Sequence, residues 1–116
     1  MSHRDDHVTL REMLDHAIEA LDLVAGMQRS DLDTQRVVYL ALLQLCQIVG
    51  EAATRLEPST REAHPEIPWS QIIAFRNRLI HGYDTIDRSI LWVILTTDFP
   101  VLRQQLEAII QAEESK

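Results

Sequence analysis

Apolar residues recur at steps of three and four near the start of the chain. Over about residues 5–27, Leu10, Leu14, Ala17, Ile18, Leu21 and Val24 or Ala25 line one side. Asp5, Asp6, Arg11, Glu12, Asp15, Glu19 and Asp22 fill the other. That is the period of an amphipathic helix, and Gly26 is placed to end it. Ser30 and Asp33 have the spacing of a helix N-terminal cap, so the pattern predicts a long helix over about 31–56. Between 37 and 49 this helix is apolar nearly all round, through Val37, Val38, Leu40, Ala41, Leu42, Leu43, Leu45, Ile48 and Val49. Such a helix is central in its bundle or shared with a partner chain. Pro58 stops it.

A short helical turn is expected over 59–64, followed by breaks at Pro65 and Pro68. Pro68 suits the first position of a helix from 69 to about 80, carrying Ile72, Ile73, Phe75, Leu79 and Ile80, with Gly82 as its stop. The β-branched run over 89–97 could make a strand. No other segment offers it a partner, so it reads as a helix capped by Asp87. Pro100 interrupts the continuing pattern of Leu102, Leu106, Ile109 and Ile110, and should kink or split that helix. Residues 113–116 are expected to fray. The sum is an all-α, four- to five-helix antiparallel bundle in one domain spanning 1–116.

Composition agrees with helices. The chain has 116 residues with only 3 Gly and 4 Pro, few for an all-β protein built on turns. A single cysteine, Cys46, rules out an intramolecular disulfide and any zinc site needing two thiolates; it reads as core. His3 and His7 are four apart, but His16 lies far along the first helix, so no metal site is expected and no cofactor is implied. The first residues lack an apolar signal core and no run of about 18 apolar residues exists, so the expectation is no membrane span and a cytoplasmic protein.

The net charge of −7 disfavours a simple basic glove for nucleic acid. The charge is uneven, however: residues 1–33 carry 8 acidic and 3 basic side chains, whereas 55–92 hold 5 of each. The cations are 10 Arg and one Lys, and arginine's planar fork suits phosphate.

The chemistry concentrates in Arg76-Asn77-Arg78-Leu79-Ile80-His81-Gly82-Tyr83-Asp84. Asn77 and His81 are four apart and share a helix face; Arg78 and His81 are three apart. Arg76 lies about 140° from His81, so its long side chain, or unwinding near Gly82, must bring it round. Arg and His here also suit plain capping of a helix C-terminus. The sharper reading is phosphodiester chemistry. Histidine transfers protons near neutral pH, and a guanidinium stabilises charge growing on phosphate oxygens. In RNA the 2′-OH is a built-in nucleophile, so no metal is required, and the products would be a 2′,3′-cyclic phosphate and a 5′-hydroxyl.

The string has the form R-x4-H-x-Y with Asn directly after the first Arg. It resembles the HEPN superfamily, specifically the HepT-like toxins paired with minimal nucleotidyltransferases. Gly50-Glu51-Ala52 is similar to a Gly-Glu-Ala of the family's second long helix, and Ile67-Pro68-Trp69 to the start of its motif helix. Ile86, Trp92, Pro100 and Leu102 fall where the closing helix has such residues, so the likeness covers roughly 37–106. The resemblance implies a homodimer with two R-x4-H motifs beside a shared cleft, acting as a metal-independent endoribonuclease toxin. By position, Arg76 would bind and stabilise the scissile phosphate, His81 would be the acid/base, and Asn77 would orient the site. Tyr83 matches the tyrosine to which the cognate (MntA-like) nucleotidyltransferase antitoxin transfers AMP.

Around the motif, Arg78 is a second substrate contact or a surface residue. Glu51 is a cleft neighbour or a helix-surface contact. Trp69, Trp92, Met13 and Met27 read as packing, and His64 as an exposed turn residue. The alternative function is a non-catalytic helical subunit that holds a nucleotide or substrate for a nucleotidyltransferase.

Overall fold

Helix α1 spans His3–Val24 in the computed structural model, which describes residues 3–116. The side chains of His3 and Arg4 lie outside the described ones, and with them the reading of His3 as a metal-ligand candidate. The apolar side of α1 is sealed into the core: Leu10, Met13, Ala17 and Ala20 are fully buried. The helix ends earlier than the sequence pattern suggests, at a turn where Gly26 adopts a positive φ of 79°, a conformation glycine supplies without steric cost.

The single helix expected over 31–56 is two. A four-residue turn, α2 (Asp31–Thr34), is separated from α3 (Arg36–Arg55) by Gln35 at φ −106°, ψ 80°. Ser30 makes no side-chain cap. Instead an Asp31 carboxylate oxygen accepts from the Gln28 N–H at 2.8 Å. Asp and Thr favour such local bonds over helix continuation. Asp33 is held by Arg29 at 2.7 Å and faces Arg88 at 3.7 Å.

Helix α3 is the central element. It packs on α1 and on α5 (Trp69–Gly82). Its inner side buries Tyr39, Leu42, Leu43, Leu45, Cys46, Val49, Ala52 and Ala53, while Val37 is 81% exposed and Leu40 39%. By length and composition α3 could cross a membrane, but half of the stretch is buried inside the bundle, the burial of a core helix. A short α4 (Pro58–Ala63) follows. Its start is capped from outside: buried Asp6 accepts from the Glu57 N–H at 3.4 Å and from the Thr60 hydroxyl.

Past α5, a 3₁₀ turn (Tyr83–Thr85) leads to α6 (Arg88–Val93). The run over 89–97 is helical, and Asp87 caps it, accepting from the N–H groups of Ser89 at 2.7 Å and Ile90 at 3.3 Å. Arg88 stacks its guanidinium on the Tyr39 ring at 4.3 Å, joining α6 to α3. A π-helical segment (Ile94–Asp98) then passes into α7 (Phe99–Glu114), with Pro100 in the first turn. The α-helical bonding pattern thus changes just ahead of Pro100, where the sequence predicts an interruption. The end of α7 does not fray as expected: Glu113 pairs with His7 at 2.8 Å, and Glu114 pairs with Arg11. Those pairs join the start of α1 to the end of α7, so the two helices run antiparallel. Arg55 on Glu12 at 3.0 Å does the same for α1 and α3. All described residues are thus accounted for by helices and their connections, an all-α bundle, and none is in a strand.

Candidate functional site at the end of helix α5

Helix α5 is anchored at both ends. At its start Ile67 and Trp69 are buried, and the Trp69 indole donates to the His64 carbonyl oxygen at 2.9 Å. At its end the Thr85 hydroxyl donates to the Gly82 carbonyl oxygen at 2.7 Å, and buried Ile86 pins the 3₁₀ turn. The helix is regular as far as His81 and its backbone departs at Gly82, at φ 168°, ψ 80°, so residues 76–81 keep helical spacing.

Arg76 faces α3 directly over Gly50. A methyl group on Gly50 would overlap the Arg76 Cβ and lie 2.9 Å from its Cγ and 3.3 Å from the Ile72 carbonyl oxygen. Glycine therefore lets α3 and α5 approach at the level of the motif arginine. The Arg76 Nε is enclosed without a hydrogen-bond partner among the described residues, and Nη1 donates to Asn77 Oδ1 at 2.9 Å. Asn77 lies about 100° round the helix from Arg76, and His81 about 40° further in the same sense. No unwinding brings Arg76 round; the bond to Asn77 draws its guanidinium toward the side where His81 stands. The His81 imidazole is exposed and makes no hydrogen bond or ion pair among the described residues.

Arg78 points elsewhere. It lines a groove of about 620 Å³ with Phe75, Ile94, Asp98 and Leu102, between α5 and the start of α7. Tyr83 is 44% exposed and borders a second hollow, of about 310 Å³, with Leu40, Leu43, Gln44, Gln47 and Leu79. Gln44 and Gln47 were not singled out in the sequence. The available signal was that both are polar positions inside an otherwise apolar run. Gln47 donates to Glu51 Oε1 at 3.0 Å, which gives Glu51 a role on the α3 surface beside Gly50.

The other singled-out residues are structural. Burial pushes the Cys46 thiol up to about 12, which keeps it protonated and unreactive. His16 bonds the Glu12 carbonyl oxygen at 2.7 Å, and His7 faces Glu113 and Glu114. Met13 is fully buried, and Met27 and Trp92 pack against the core. Among the described residues no group of three or more His, Cys, Asp or Glu is arranged to hold a metal ion. The end of α5 thus offers an open imidazole, a guanidinium directed by an amide, and a phenol, which is equipment for proton transfer and for binding an anion.

A family model described as "Ribonuclease HepT-like" matches residues 13–109. The chain is 30% identical, over 91% of its length and 98% of the relative's, to a protein named as a candidate RNase from Caldanaerobacter subterraneus subsp. tengcongensis. It is 28% identical, over 94% of its length and 100% of the relative's, to a candidate RNase from Methanocaldococcus jannaschii. It is also 28% identical, over 85% of its length and 94% of the relative's, to the "Probable ribonuclease HepT" of Thermococcus cleftensis. No solved structure matches the chain.

Proposed function

Because the chain belongs to the HepT-like ribonuclease family, a membership that supports RNA cleavage, we propose that it is a metal-independent endoribonuclease and the toxin of a toxin–antitoxin pair acting in the cytoplasm. The observation that carries this reading is the end of α5, where solvent-open His81 stands beyond an Arg76 guanidinium held by Asn77.

The chemistry follows from those groups. An imidazole takes the proton of a ribose 2′-OH as its oxygen attacks the adjacent phosphorus. The phosphorus–5′-oxygen bond breaks, and a protonated imidazole gives the leaving oxygen its proton. Arg76 stabilises the charge that grows on the non-bridging oxygens. The products are a 2′,3′-cyclic phosphate and a 5′-hydroxyl. Within one chain the root of Arg76 faces α3 while His81 lies round the helix. A homodimer bringing two α5 ends to one cleft supplies both protonation states of the imidazole and two guanidiniums. Two chains together carry −14, twice −7, so the RNA path is local and arginine-lined.

Tyr83, exposed beside this site, is the acceptor for AMP from a cognate nucleotidyltransferase antitoxin. Its phenolic oxygen attacks the α-phosphorus of a nucleoside triphosphate and pyrophosphate leaves. The attached group adds bulk and negative charge next to a phosphate-binding cleft.

The test is cleavage of bulk RNA by the purified chain in excess EDTA. Wild type is expected to cut and leave cyclic phosphate ends, and His81→Ala to lose at least about 100-fold in rate. Equal cleavage by the variant, or cleavage that needs added divalent metal, overturns the reading. Nucleotide binding without cleavage favours the non-catalytic subunit instead.

A further inference from the structure

The seam between α3 and α5 continues past the Gly50–Arg76 contact into the hollow of about 310 Å³. On α5 the residues facing this seam are Arg76 and Leu79, with Tyr83 just beyond its end; on α3 they are Gly50, Gln47, Leu43 and Leu40. We propose that the hollow lined by Leu40, Leu43, Gln44, Gln47, Leu79 and Tyr83 is a nucleobase pocket, seating the base of the nucleotide whose phosphate Arg76 holds. The proposal rests on the RNase reading above and names what its site recognises.

Three properties of the lining carry it. Its apolar lining is buried Leu43 and Leu79 with exposed Leu40, which suit the face of a flat heterocycle. Its mouth holds an exposed aromatic ring, and single-stranded RNA is recognised by stacking unpaired bases on such rings. Its polar groups are two side-chain amides and the Tyr83 hydroxyl, with no charged group. An amide offers a donor and an acceptor side by side, the pairing that suits the N6 and N7 edge of adenine. Gln47 spends a donor on Glu51, which leaves its carbonyl oxygen to accept from an exocyclic amine. The volume lies at the small end of the range for ligand pockets, of roughly 300–1,000 Å³. Charge stands outside, at Arg76, so the seam divides a nucleotide into a base half and a phosphate half.

One ligand chemistry has two sources here. The base can belong to the RNA, or to an adenylyl group carried on Tyr83, whose ring borders the same hollow. In the second case a modified chain fills its own substrate pocket.

The experiment is NMR of the full chain, following the leucine methyl groups and the glutamine side-chain amides. The probes are adenosine 5′-monophosphate, ribose 5-phosphate and a non-cleavable 2′-O-methyl oligoadenylate. The adenosine nucleotide is expected to shift Leu40, Leu43, Leu79, Gln44 and Gln47, and ribose 5-phosphate to leave them in place. Gln44→Ala with Gln47→Ala is expected to weaken nucleotide binding at least tenfold, at about fivefold for each lost amide bond. Alanine is a good helix former, so the fold is kept. Equal shifts from both small probes, or no shift at these residues, overturn the pocket. The oligoadenylate and a chain carrying AMP on Tyr83 separate the sources. Shifts from the oligomer alone assign the pocket to RNA, and shifts present in the modified chain before any addition assign it to the adenylyl group as well. Base-dependent shifts in a chain that cuts no RNA keep the pocket and overturn only the RNase reading.

Discussion

The Gly50 α-carbon lies so close to the Arg76 side-chain root that no methyl group fits between them. Gly50→Ala tests what that contact is worth. Alanine favours the helix by about 1 kcal/mol over glycine. The added methyl, however, meets a Cβ and a backbone carbonyl, neither of which can swing aside, and overpacking of that kind costs about 1–3 kcal/mol. The net expectation is a loss of up to about 2 kcal/mol in unfolding free energy, read as a lower melting temperature. RNA cleavage should fall by more than the lost folded fraction accounts for, because the motif arginine moves with α5. A variant as stable and as active as wild type would show that the close approach is incidental.

In the proposed mechanism Asn77 acts through its neighbour. Its Oδ1 accepts from Arg76 Nη1, and the side chain is exposed. Asn77→Ala is therefore expected to change stability by no more than about 0.5 kcal/mol, the usual range for a surface site. The kcat for RNA cleavage should nonetheless fall about tenfold, since the guanidinium is no longer drawn toward His81. An unchanged kcat with a raised KM would assign Asn77 to substrate binding rather than to holding Arg76.

Much of this architecture is legible in the chain because single helices report it. The three-four spacing of Leu10, Leu14 and Ala17, the cap at Asp87 and the interruption at Pro100 are local signals, and the structure follows them. What is not legible depends on partners distant in sequence. The break at Gln35 comes with Asp33 facing Arg88 at the start of α6. The helical end of α7 depends on His7 and Arg11, more than a hundred residues earlier. The site divides the same way. Arg76, Asn77, His81 and Tyr83 stand out as a linear string. Gln44 and Gln47 join them only once the register of α3 against α5 is known.

Cys46 should be silent in the native chain. Its thiol is pushed from 9.0 up to about 12 by burial among apolar groups, so folding favours the protonated form. Below about pH 9 the residue adds no pH dependence, and from 9 toward 12 the unfolded chain ionises first and stability falls as pH rises. At pH 8.5 the native protein is expected to resist iodoacetamide over a period in which the urea-unfolded protein is fully alkylated. Stoichiometric labelling of the native chain would contradict the burial.

The staple between α1 and α7 carries the opposite pH dependence. A hydrogen bond from Arg11, with added attraction from Arg11 and His7, holds the Glu114 carboxyl below its ordinary value. A lowered value means that the folded state favours the carboxylate. Its contribution is complete above the ordinary carboxylate range and is lost as pH falls through the lowered one. Glu114→Gln should therefore flatten part of the decline in wild-type stability on acidification, measured by urea unfolding at a series of pH values. The groups are solvent-exposed, so the difference between the two proteins should shrink as salt is raised. Parallel acid profiles at low salt would mean that the last turn of α7 is held by the burial of Ile109 and Ile110 rather than by charge.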